Sequence, residues 1–271
     1  MFPKHIELTK VPPIKIQGIK TKLVPFIAAS IYWDDNGTYF EPFMGSGVVG
    51  FNLQPKKAIF SDTNPYIIQF YKDLQNKIIT PAIVREFLEE ETLKLMATPA
   101  DKNSYYYEVR ERFNKTHTSL DFLFLQRSNF NGMIRFNNQG KYNVPFGRKP
   151  ERFKKALITK IVNQVAWAQD LIVNHDWDFL CIPFEEAFSM MKPKDFTYLD
   201  PPYIDRYDGY YDAWSEDYAV LLSKLAQNGP AKYAFSMWYK NKYRENEHIK
   251  LWSHGKTVNY RTLLPYRSQR K

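Results

Sequence analysis

Tyr39-Phe40-Glu41-Pro42-Phe43-Met44-Gly45-Ser46-Gly47-Val48-Val49-Gly50-Phe51-Asn52-Leu53, continuing to Lys57-Ala58-Ile59-Phe60-Ser61-Asp62-Thr63-Asn64-Pro65, decides the fold. An apolar run leads into a turn with two glycines. Val48 to Leu53 reads as the start of a helix, and Lys57 to Phe60 as a second strand. Pro65 suits a first helical position, and Ile67, Ile68, Phe70, Tyr71 and Leu74 extend that helix. Strand, turn, helix, strand and helix in succession mark a parallel, doubly wound α/β sheet.

The glycine turn also carries chemistry. Glycines there permit positive φ and let a ligand approach the backbone. The following helix N-terminus adds exposed N–H groups and a positive dipole end, which suit a phosphate or a carboxylate. The spacing is not the three-glycine dinucleotide fingerprint, and no Gly-Lys-Ser/Thr follows. A plain tight turn is the competing reading. Asp62 ends the next strand, where an acid can accept from ribose hydroxyls; it could equally cap the helix at Pro65. Turn and acid together suggest an adenosine-containing cofactor without saying which.

Upstream, residues 11–20 read as a loop and 21–32 as a helix with Pro25 in its first turn. Downstream, the alternation breaks after about residue 75. Residues 81–128 read as helices, including the charged stretch Tyr105 to Arg112, and 129–150 as a loop with a hairpin turn at Asn138-Gln139-Gly140-Lys141. Residues 151–170 read as helix. Strands return at Asp178 to Ile182, Phe196 to Leu199 and Tyr233 to Ser236. The expected organisation is a sheet domain of residues 1–75 and 166–271, split by an insertion at 76–165.

A chain of 271 residues suits one α/β domain with an inserted subdomain. Lys and Arg number 38 against 29 Asp and Glu, for a net charge of +9, which favours a polyanionic partner or simply solubility. The 19 Tyr and 20 Phe can fill a core or stack on bases. Cys181 is the sole cysteine, so no disulfide forms within the chain and a reducing compartment is expected. It lies in an apolar run and reads as a core residue. One Cys and five scattered His make no zinc pattern, so no metal is expected. Met1 to Lys10 lacks the apolar stretch of a signal peptide, and no segment approaches the ~20 apolar residues of a membrane span. A cytoplasmic location follows as an expectation.

The strand Phe196 to Leu199 ends in Asp200-Pro201-Pro202-Tyr203. Ligands of parallel sheets bind at the carboxyl ends of strands. Two prolines stiffen the loop and remove two N–H donors, leaving carbonyls and Asp200 as acceptors. That set suits an aryl amino group, whose lone pair is delocalised into its ring. Acceptors on both hydrogens favour a pyramidal nitrogen and stabilise developing positive charge. Tyr203 can stack on an extruded base. The competing reading is a proline-rich turn closed by a surface tyrosine.

These residues resemble the Dam-like (D12 class) DNA adenine-N6 methyltransferases. Phe43-Met44-Gly45-Ser46-Gly47 resembles their cofactor loop, Ser61-Asp62-Thr63-Asn64 their ribose-binding strand end, and Asp200 to Tyr203 their catalytic tetrapeptide. Asn129-Phe130-Asn131-Gly132-Met133-Ile134-Arg135-Phe136, followed by Asn143-Val144-Pro145-Phe146-Gly147, is the most specific match. The resemblance implies a Rossmann-like S-adenosylmethionine-dependent sheet with an inserted, mainly helical target-recognition subdomain. It implies cofactor contacts from Ile16, Lys20, Phe43, Gly45, Gly47, Asp62, Phe184 and Asp200. Lys15 to Lys20 resembles the family's Lys-Trp-x-Gly-x-Lys segment with Ile16 in place of Trp, and Ile182-Pro183-Phe184 stands where Gly-Asp-Phe is usual.

The resemblance further implies that Arg135 reads a guanine edge and that Phe130 and Asn131 support a disrupted base step. Asn143 belongs to the same DNA-binding set, and Lys141, Arg148, Lys149 and Arg152 are implied phosphate contacts. GATC is the family's commonest target. Family members usually follow a basic segment such as Arg267 to Lys271 with a final apolar strand. The implied partner is double-stranded DNA in a bacterial or phage-infected cell, with a monomeric enzyme and, in some settings, a cognate restriction endonuclease acting separately. An RNA or protein-amide methyltransferase, or a DNA-binding module without activity, are the alternatives.

Overall fold

The structure, a computed structural model, describes residues 2–202 and 214–237. Tyr203 and the basic segment Arg267 to Lys271 lie outside the described residues.

Five parallel strands form one sheet in the order β3-β2-β1-β4-β5. They are β1 (Tyr39–Glu41), β2 (Lys57–Ser61), β3 (Asp176–Leu180), β4 (Phe196–Leu199) and β5 (Lys232–Phe235). β1 and β4 are buried along their whole length, as expected where helices cover both faces of a parallel sheet. Alternate residues serve opposite faces. Tyr39, Phe60, Phe196 and Tyr198 join the larger core with α1 (Val24–Ser30), α2 (Val48–Leu53), α3 (Pro65–Gln75) and α7 (Lys155–Asn174). Phe40, Ile59 and Leu199 join a smaller core under α8 (Phe184–Ser189) and α9 (Glu216–Asn228). This is the parallel α/β sheet that the opening stretch implies, in the Rossmann-like form that the resemblance implies.

Three further helices, α4 (Pro81–Met96), α5 (Tyr105–Thr116) and α6 (Ser119–Ser128), follow α3. Their apolar faces are continuous with the larger core, through Leu88, Tyr106, Phe113 and Phe122. A polar knot ties them together. Arg112 lies 2.7 Å from Glu91 on α4 and 2.5 Å from Asp121 on α6. Burial alone would raise the Glu91 carboxyl; bonds from Lys94, Arg112 and Tyr105 bring it below its ordinary value. Ser119 donates to Asp73 at 2.6 Å, joining α6 to α3. The half-buried Arg127 on α6 donates to the Pro13 carbonyl and to Gln164 on α7, so the N-terminal loop is pinned to two helices. Burial lowers the Arg127 guanidinium to about 10.

Several expectations shift. β3 begins at Asp176, two residues before the expected Asp178, and ends at Leu180. It is an edge strand in which Trp177 and Phe179 face inward while Asp176 and Asp178 face outward, so its polar half hides its start. β5 likewise starts one residue early, and α1 is shorter than 21–32 at both ends. Residues 129–150 contain no strand pair; two single antiparallel bridges, Asn129 with Phe146 and Phe136 with Tyr142, hold the loop. The turn itself is present, closed by Gly140 N to Asn137 O (2.8 Å) and Asn137 N to Lys141 O (2.9 Å). Cys181 is exposed rather than in the core, with its Sγ 3.7 Å from the Thr63 carbonyl, because β3 has already ended and the chain turns outward at the sheet edge. No helix among the described residues is long and apolar enough to cross a membrane.

Candidate active site

The site lies at the carboxyl ends of β1, β2 and β4, where the chain reverses direction across the sheet. Gly45 (φ 47°) and Gly47 (φ 69°) turn the backbone from β1 into α2. A Cβ on Gly47 would fall 2.7 Å from the Phe51 ring, so only glycine fits there. Three bonds brace the turn: Gly47 N to Met44 O (2.6 Å), Met44 N to Ser61 O (3.0 Å) and Tyr71 Oη to Ser46 O (2.7 Å). Asp62 accepts from Gly45 N through Oδ2 and from Asn64 N through Oδ1, both at 2.9 Å. Asn64, not Asp62, caps α3, accepting from Tyr66 N and Ile67 N. Asp62 instead locks the glycine turn to the end of β2.

A cavity of about 500 Å³ opens over this turn. Of the residues singled out from the sequence, Ile16, Lys20, Phe43, Gly45, Asp62, Phe184, Asp200, Pro201 and Pro202 line it. Gly47 does not; it caps α2 in the left-handed conformation. Ile16 lies over Gly45, where an added Cβ would be 3.3 Å from its Cδ1. Phe43 packs on Phe184 at 5.5 Å between ring centroids, and Trp214 closes on both at 5.5 and 5.8 Å.

Asp200 is the electrostatic centre. Its Oδ2 is 2.7 Å from Lys20 Nζ, and Lys20 also donates to the Gly18 carbonyl at 3.1 Å. Asp200 Oδ1 is buried without a hydrogen-bond partner among the described residues. Burial raises the Asp200 carboxyl, and the Lys20 ammonium opposes that rise. A buried acceptor left open in a cavity calls for a donor from a ligand.

Apart from Arg152, just beyond it, the residues expected to meet DNA share the loop 129–150. Phe130 is half exposed, and Asn131 (φ 55°), Lys141, Arg148 and Lys149 are exposed. Arg135 donates to Asn143 from Nε (2.7 Å to Oδ1) and Nη2 (3.2 Å to O), which fixes the guanidinium against the loop's return arm. Arg152 turns inward and donates to the Asn129 carbonyl at 2.7 Å. Ile134 reaches the cavity wall, so this loop and the cavity adjoin.

Sequence reasoning passed over Glu41, Ile134, Trp214 and Tyr218, which also line the cavity. Glu41 carried a signal, as an acid in a strand otherwise apolar enough to be buried on both faces. Trp214 and Tyr218 carried none, because α9 and the residues just before it bring them in from beyond the Asp200-Pro201-Pro202 segment.

Residues 17–263 match the D12 class N6 adenine-specific DNA methyltransferase family. The modification methylase StsI of Streptococcus sanguinis is 28% identical over 262 residues, 93% of this chain and 39% of that protein. The type II methyltransferase M.FokI of Planomicrobium okeanokoites is 28% identical over 251 residues, 89% of this chain and 38% of that protein. A DNA adenine methylase of Haemophilus influenzae is 31% identical over 197 residues, 71% of this chain and 63% of its own length. The chain thus spans about four tenths of the StsI and FokI proteins. With the family's span covering the glycine turn, the Lys20–Asp200 pair and the loop 129–150 alike, the chain belongs to the D12 class N6 adenine-specific DNA methyltransferase family.

Proposed function

We propose that this chain is a site-specific DNA adenine-N6 methyltransferase that binds S-adenosylmethionine and acts on a flipped adenine in a short duplex sequence. The observation that carries this reading is Asp200: one carboxylate oxygen is held by Lys20 and the other is buried, open and at the cavity wall.

The cavity fits the cofactor by its chemistry. Gly45 lets the backbone approach a ligand, Asp62 can accept from a ribose, and Phe43, Phe184 and Trp214 offer an apolar wall for a purine. Ile16 and Lys20 complete the rim, and Gly47 sets the helix end behind it. The bound cofactor supplies an activated methyl on a sulfonium. The protein's part is to present the adenine nitrogen. Asp200 Oδ1 and the Pro201 carbonyl accept the two amino hydrogens, which localises the lone pair toward the methyl. Lys20 keeps Asp200 ionised and oriented. Pro202 stiffens the loop, and Tyr203 is assigned to stacking on the flipped base.

Residues 76–165 serve as the target-recognition part and 1–75 with 166–271 as the catalytic part. Phe130 and Asn131 occupy the opened base step, Arg135 with Asn143 reads a base pair, and Lys141 and Arg148 hold phosphates. The enzyme works as a monomer on double-stranded DNA in the cytoplasm, with any cognate endonuclease acting apart from it.

The reading is tested with tritiated S-adenosylmethionine on duplex DNA and on RNA. Label should enter adenine of duplex DNA at a defined sequence; label in RNA alone, or in neither, would sink it. Arg135→Ala should relax discrimination at one base pair by about 1–3 kcal/mol. Comparing kcat/KM on the preferred site and its single-pair variants checks this, and an unchanged preference would remove Arg135 from the reading set.

A further inference from the structure

Glu41 is an acid that the mechanism above does not use. It ends β1, is 2% exposed and lines the cavity. One of its oxygens, Oε2, accepts from both Tyr39 Oη (2.9 Å) and Gly50 N (2.8 Å). The β1–β4 register pairs Phe40 with Thr197, which sets Glu41 beside Tyr198 and on the same face as Asp200. Among the described residues, the titratable and charged groups that act on it or share its cavity are Tyr39 on its own strand, Tyr198 on β4 and Asp200 at its end, Asp62 after β2, Tyr71 on α3, Glu185 on α8, Tyr218 on α9 and Lys20 from the N-terminal loop. α2 contributes only the Gly50 N–H. Lys20, the cation of this set, sits on Asp200.

A carboxylate buried beside a second carboxylate, with no cation of its own in that set, is kept neutral. Burial pushes the Glu41 carboxyl up to about 8; bonds from Tyr39 and Gly50 oppose the rise, and Asp200 adds to it. S-adenosylmethionine brings a sulfonium and an ammonium against a single carboxylate. Either cation beside Glu41 favours its ionised form.

We infer that Glu41 carries a proton in the cofactor-free protein and releases it to solvent when a cationic group of S-adenosylmethionine enters the cavity. Glu41 thereby couples cofactor binding to pH and favours a cationic ligand over a neutral one. This rests on the cofactor assignment above. The sign follows from linkage. The carboxyl is higher in the free protein than in the complex, so affinity grows as pH rises toward 8 and flattens beyond it. Between pH 6.0 and 7.5 the gain is about 20-fold.

Isothermal titration calorimetry at pH 7.0, in two buffers of different ionisation enthalpy, counts the protons. The expected result is release of roughly half to one proton per cofactor, falling to none in Glu41→Gln. The amide keeps an oxygen for Tyr39 and Gly50, and the pH dependence of wild-type affinity tests the same point without any variant. S-adenosylhomocysteine keeps the ammonium and lacks the sulfonium. Proton release with both ligands assigns the partner to the ammonium, and release with S-adenosylmethionine alone assigns it to the sulfonium. Binding without proton release, or release unchanged in Glu41→Gln, overturns the inference. No binding at all overturns the cofactor assignment and the inference with it.

Discussion

Asp200→Ala is expected to lower methyl transfer by about a thousandfold, the scale seen when a preorganised polar group is removed from a reacting centre. The loss should fall on kcat, because the role proposed for the open Oδ1 is to act on an amino group whose charge develops in the transition state. The substitution also takes from Lys20 its carboxylate partner at 2.7 Å, leaving a largely buried ammonium without that countercharge. Duplex DNA binding should persist, since the loop 129–150 meets the cavity wall through Ile134 and not through Asp200. Single-turnover transfer and a DNA retention assay on the same preparation separate the two effects. Transfer near the wild-type rate would remove Asp200 from the chemistry.

Trp177→Ala is expected to destabilise the fold by about 4 kcal/mol, within the 3–5 kcal/mol typical of a large aromatic cut to a methyl. Trp177 is 1% exposed and packs edge-on against Phe51 and Phe60, each 5.1 Å between centroids. Its indole N–H donates to the Pro55 carbonyl at 2.8 Å, so the change also orphans a buried acceptor. That is a large share of the 5–15 kcal/mol that holds an ordinary domain together. The urea midpoint should fall with the slope unchanged. A midpoint within experimental error of wild type would mean that the β3 edge contributes little to the core. The loss also reaches function, because β3 pairs with β2, whose end carries Asp62.

What could be read in advance divides by the kind of force involved. α2 runs from Val48 to Leu53 and β4 from Phe196 to Leu199, both as the sequence indicates, because apolar runs punctuated by glycine and proline leave little freedom. β3 was misplaced because an edge strand buries one face and its outward Asp176 and Asp178 look like loop. Cys181 was misread for the complementary reason: an apolar run says nothing about where the strand stops. The glycine turn and Asp62 stand out in the sequence as a candidate cofactor feature, but the bonds from Gly45 and Asn64 to Asp62 depend on three-dimensional register. The Lys20–Asp200 pair joins residues from opposite ends of the described chain, and only the fold supplies their distance. Glu41 was marked in the sequence only as an acid in an apolar strand. Its meaning came from burial and from Asp200 beside it, neither of which is local.

The centre of the sheet joins distant parts of the chain. Thr38 N bonds Asp195 Oδ1 across 157 positions, at the head of the β1–β4 pair. Bringing such remote segments together carries a large loop-closure penalty before any contact repays it. The glycine turn and Asp62 are joined by residues near in sequence, whereas Asp200 reaches them only across the intervening helices. The stretch from β1 to Asp62 supplies the turn and its acid but not Asp200, so the pocket is complete only when segments more than a hundred positions apart are joined.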